Sequence, residues 1–158
     1  MSMEHLITDR TQSDVDRWKA LRDKGWTRMS TAEQAAWLAE MKGRYDHRDF
    51  NRVEQAVAVV SDRLRELGYG HPPLTVKTDW TRADIPTRED WERYFGNVAT
   101  LRKAITVLHS TPGMPSMNDR LNFERANALE QILVDIDDVT TKISKSWHYA
   151  GDIYLGEV

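Results

Sequence analysis

Three stretches of this chain repeat apolar residues in alternating steps of three and four. No other feature of the sequence restricts the fold as much. Val53, Val57, Val60, Leu64 and Leu67 form the first stripe. Trp91, Tyr94, Val98, Leu101, Ile105 and Leu108 form the second. Leu129, Ile132, Ile136, Val139 and Ile143 form the third, and Trp147 and Ala150 extend it. A mean step of 3.5 keeps every member of a stripe on one face of a helix. Such a face must be buried against another element. The spacing predicts helices over about 47–67, over about 88–108, and from a start between 117 and 123 to about 149.

Start and stop signals support these helices and add two shorter ones. Ser30 with Glu33 is a capping box, and Thr11 with Asp14 and Thr87 with Asp90 are close variants of it. Asp46 with Asp49 fits the same pattern, and Tyr45 with Phe50 has the spacing of a hydrophobic staple. Gly25, Gly43 and Gly68 fall where helices should end. The short helices are expected over about 11–24 and 31–42.

The expected fold is all-α. Three long antiparallel helices form a bundle, preceded by a short N-terminal helical hairpin and followed by an extended C-terminal tail. The antiparallel arrangement rests on the short connection His109–Ser116. A single domain spans 1–158, with the hairpin over 1–43, the bundle over 44–150 and the tail over 151–158. Leu74 to Thr78 is expected to lie along the bundle. No repeat or low-complexity tract divides the chain.

Composition excludes several functions. The chain has no cysteine, which removes disulfides, thiolate metal sites and a cysteine nucleophile. Its net charge of -3 leaves no basic excess to follow a phosphate backbone, so no nucleic-acid partner is expected. No apolar run reaches the length of a membrane span and no signal peptide is expected. No two of the five histidines stand at i, i+4 on a helix, and no glycine-rich phosphate loop occurs. Asp135, Asp137 and Asp138 sit within the last helix, turned to solvent by the apolar stripe between them. Catalytic, cofactor and metal residues are all expected to be absent.

Tryptophan is abundant, with six residues. Trp18, Trp37, Trp91 and Trp147 lie on helix stripes, while Trp26 and Trp80 lie in connections. Trp147, Tyr149 and Tyr154 crowd the C-terminus, where exposed aromatics suit a protein interface. The expected partner-binding residues are Trp80, Trp147, Tyr149 and Tyr154.

Several segments carry a resemblance. They are Leu6-Ile-Thr-Asp-Arg-Thr11 with Asp14-Val-Asp16, Trp37-Leu-Ala-Glu-Met-Lys-Gly43, Asn51-Arg-Val-Glu-Gln-Ala-Val57, Val76-Lys-Thr-Asp-Trp80, Asp84-Ile-Pro-Thr87, Glu92-Arg-Tyr94, and Trp147 to Val158. In this order they resemble small phage and prophage tail-associated or minor structural proteins of Gram-positive gut bacteria. The resemblance runs over nearly the whole chain. It implies a non-enzymatic virion structural or adaptor protein of a tail, baseplate or fibre. Such a protein is made in the host bacterial cytoplasm and associates with itself and with other phage structural proteins. The alternative is a carbohydrate-binding receptor-recognition module at a fibre tip, with Trp26 or Trp80 as the sugar platform.

Overall fold

The computed structural model describes residues 3–151 and is all-helical over them. α1 spans Gln12–Lys24, α2 Thr31–Leu38, α3 His47–Glu66, α4 Arg88–Ala104 and α5 Phe123–Gly151. Single 3-10 turns occupy Met3–His5 and Trp26–Arg28. The tail over 152–158, with Tyr154, lies outside the described residues, as does the side chain of Tyr149.

The capping residues work as their types dictate. Thr11, Ser30 and Thr87 each accept the backbone N–H of the third helical residue, Asp46 accepts that of the second, Arg48, and in all four the side chain of the third residue answers the cap's own N–H. Gly68 ends α3 at φ 82. Its N–H bonds the Arg65 carbonyl and the Tyr69 N–H bonds the Leu64 carbonyl, which is a Schellman motif. Gly43 has a different role from the one its position suggested. α2 already stops at Leu38, and a Cβ at Gly43 would collide with the Asp14 carbonyl of α1. The missing side chain is what lets this segment lie against α1.

The three stripes meet in one core. Val53, Val57, Val60 and Leu64 of α3 pack with Tyr94, Val98 and Leu101 of α4 and with Leu129, Ile132, Leu133 and Ile136 of α5. Each buried aliphatic side chain contributes roughly 1.5–3 kcal/mol. Tyr45 does staple Phe50, with ring centroids 5.5 Å apart.

The long helices are parallel, not antiparallel, and side-chain pairs show why. Ser61 faces His71, Glu54 accepts the Lys77 N–H, and Asn51 holds the backbone of Trp80. The connection after α3 therefore runs back along it and starts α4 beside the first turns of α3, where Phe50 packs on Trp91 and Tyr94. The connection after α4 also runs back. Arg102 bonds the Pro112 carbonyl, and Met117 and Leu121 share a crevice with Trp91 and Phe95. α5 then rises alongside α3, from Arg52–Glu130 to Arg63–Asp137. The antiparallel expectation failed because α4 stops at Ala104 and Ile105 is extended (φ −139, ψ 152). Ile105, Thr106 and Val107 are consecutive β-branched residues, which weaken a helix. The return over 105–122 is then long enough to join parallel neighbours.

Carboxylates in the N-terminal caps make the helix starts sensitive to acid. The Thr11 hydroxyl lowers the Asp14 carboxyl and the Thr87 N–H lowers Asp90. The Lys24 ammonium, then the Ser30 N–H, lowers Glu33. A carboxyl whose folded pKa is depressed adds stability above its unfolded value and loses it as pH falls through the folded one. Stability from these caps should therefore decline as pH drops below about 4. Carboxyl 13C titrations should place all three midpoints below the ordinary range. Ordinary midpoints would refute the capping argument.

Candidate functional site

Two features distinguish this bundle from a plain apolar one: a buried ionic cluster at its base and a helix end that outgrows it. The cluster forms where residues 6–10 cross the starts of α3 and α5. Arg10 donates through Nη2 to Asp49 Oδ1 at 2.8 Å and to Glu130 Oε1 at 2.6 Å. Arg52 reaches Glu130 Oε2 through Nε at 3.1 Å and also pairs with Asp49 and Glu40. The Ile7 N–H bonds Glu130 Oε2 at 2.5 Å, and Asp49 Oδ2 accepts the Asp46 N–H at 2.8 Å. Asn127 closes the layer by holding both the N–H and the carbonyl of Arg10.

Burial opposes charge at Arg10, Arg52 and Asp49. The arginines nevertheless stay cationic, because Glu130 and Asp49 lift both above their ordinary value against that burial. Burial pushes the Asp49 carboxyl up, outweighing the Asp46 N–H and the two guanidiniums. Beside them the Tyr45 and Tyr94 hydroxyls bond each other, and burial raises both, so they remain neutral phenols. All four oxygens of Asp49 and Glu130 already accept protein donors. The cluster fastens the N-terminal segment to the bundle.

Trp80 belongs to a second buried site. It is 4% exposed, so the expectation that it forms a contact surface is overturned. Its ring packs on Phe50 at 5.0 Å, with the Lys77 ammonium 3.9 Å from the ring centroid. Its Nε1 donates to Glu54 Oε1 at 3.2 Å. Arg93 of α4 holds the same carboxylate, with Nη2 2.7 Å from Oε1. A loop tryptophan is buried here because Glu54 gives its N–H a partner inside the core.

Trp147 is placed differently. α5 is about 43 Å long against about 30 Å for α3. The end of α3, at Glu66 and Leu67, lies beside Thr140–Lys145 of α5. Beyond that level the α5 stripe has no α3 to face. Val139 and Ile143 still touch the core, whereas Trp147 is 54% exposed. Trp26 is also open, at 46%. Among the acids of α5, Asp137 pairs with Arg63 and Asp138 with Lys142, while Asp135 accepts from Gln131.

The ionic residues are where sequence reasoning fell short. Glu130 lies between Leu129 and Ile132, three residues before Leu133. Asp49 and Arg52 continue the face of Val53 and Ala56. An acid or arginine in register with an apolar stripe was the available signal. Among the described residues, no helix is long and apolar enough to cross a membrane. Comparison with protein-family models, with curated proteins and with solved structures gives no match.

Proposed function

We propose that this chain is a non-enzymatic structural or adaptor protein acting through protein contacts, set in a phage or prophage tail, baseplate or fibre. The exposed Trp147 on the overhanging end of α5 carries the contact part of this reading. The phage setting rests on the resemblance of the segments between Leu6 and Val158. Large aromatics that stay open on a helix stripe are the anchors that interfaces use. A second copy offering the same stripe is the simplest partner, since homo-oligomers dominate soluble assemblies.

Sedimentation of the full chain and of Trp147→Ala tests the contact. The wild type should associate, and the variant should be monomeric at the same concentration. Its stability should change by no more than about 0.5 kcal/mol, as for other surface substitutions. Equal association of both chains would remove Trp147 from the interface. Quantitative mass spectrometry of gradient-purified particles tests the setting. A fixed copy ratio to tail proteins supports it, and absence from particles overturns it.

The carbohydrate reading keeps one residue, Trp26, whose exposed ring sits in a polar turn between Gly25 and Thr27. A glycan array with Trp26→Ala as control decides it.

A further inference from the structure

We propose that the groove between α1 and the start of α5 binds a small organic anion, a carboxylate or phosphate carried on a flat apolar body. This goes beyond the contact reading and uses none of its residues. The groove encloses about 550 Å³, within the usual range of small-molecule sites. Lys19, Lys42, Arg44 and Arg120 line it together with Arg10, and no Asp or Glu does. In a chain of net charge -3, this is a local reversal of sign.

The cations are not equally available. Arg10 spends its charge on Asp49 and Glu130, and Lys42 and Arg44 hold Asp9 and Asp46. Lys19 and Arg120 enter no ion pair among the described residues, so they supply the uncompensated attraction.

Two unpartnered donors lie under the groove wall. Arg10 Nε and Trp18 Nε1 lack a hydrogen-bond partner and are covered by neighbouring side chains, so a ligand oxygen meets them only when the lining side chains shift. Both residues line this groove. An unpaired buried N–H is costly, and an anionic oxygen is the acceptor that satisfies it best. Arg10 Nη1 and Nη2 are already fixed by Ile7, Asn127, Asp49 and Glu130, so its Nε is held in place before any ligand arrives. Trp18, Tyr45 and Phe123 add aromatic lining, and Val15 and Leu121 add aliphatic lining. Together they favour a flat apolar body behind the anionic head.

The test is titration of the 15N-labelled full chain, read at the indole N–H of Trp18, which Trp18→Phe identifies. The probes are 2-naphthoate, 2-naphthyl phosphate, neutral 2-naphthylmethanol and inorganic phosphate. At least one aromatic anion should shift the Trp18 signal saturably, and the stronger of the two tells carboxylate from phosphate. Lys19→Met and Arg120→Met, both at exposed positions, should each weaken that binding about tenfold, the scale of one lost charged hydrogen bond. Three results would overturn the proposal. The first is no saturable shift with either aromatic anion. The second is equal binding of the neutral alcohol or of inorganic phosphate. The third is unchanged affinity in both variants.

Discussion

Glu130→Gln is expected to destabilise the protein by about 3–5 kcal/mol, as breaking a buried ion pair from one side does. The glutamine keeps the size of the side chain and one carbonyl oxygen, so packing is nearly preserved. What goes is the negative charge that faces both Arg10 and Arg52 at the base of the bundle. Asp49 alone then faces two buried guanidiniums, with the largely exposed Glu40 as the remaining acid. The new amide also points N–H groups at donors, since Glu130 accepts from Ile7, Arg10 and Arg52. Domains of this kind are stable by about 5–15 kcal/mol, so the loss is a large share of the total. Urea denaturation followed by circular dichroism measures it. A loss under about 1 kcal/mol would mean that water reaches the cluster.

A double change separates charge from shape. Arg10→Met with Glu130→Leu removes one charge of each sign and leaves Asp49 with Arg52. The pair should cost less than the sum of the single changes, because neither charge is left without its partner. Additive costs would mean that Arg10 and Glu130 do not depend on each other.

The elements and the direction of the helices were not equally readable. A capping box is local: Ser30 and Glu33 need only each other and one helical turn. The stripes are nearly as local, and Val57, Val98 and Ile132 are all fully buried as their spacing required. Direction depends on something stripes do not encode, the path of the chain between helices. Leu108 continued the α4 pattern in the sequence but is exposed, because the helix had already ended at the β-branched run. Those few residues turned an apparently tight connection into a long return and reversed the orientation of α5. The ionic cluster was hidden for a similar reason. Arg10 and Glu130 are distant in sequence, and a charged residue on an amphipathic helix is ordinarily solvated. Trp80 shows the same limit, since its burial depends on Glu54 and Asn51 of α3.

Trp80→Ala is expected to cost about 3–5 kcal/mol, the range for truncating a buried large aromatic. Three losses combine. The Phe50 ring loses the tilted indole neighbour 5.0 Å away. Glu54 loses the indole donor and keeps Arg93 and the Lys77 N–H. The cavity opens under the connection that carries the chain back along α3, so the start of α4 loses part of its support. Asn51 still clamps the backbone of residue 80 through both its amide groups, which limits how far the segment can collapse into the gap. Trp80→Phe keeps an aromatic body and removes only the N–H, so it should cost much less, about 1–2 kcal/mol for the bond and the smaller ring. The contrast with Trp147 is the decisive comparison. Truncating the exposed Trp147 should change association and, at concentrations low enough for both chains to be monomeric, leave the denaturation midpoint in place, whereas truncating Trp80 should move the midpoint. A Trp80→Ala protein as stable as the wild type would place this ring at the surface and restore it as a contact residue.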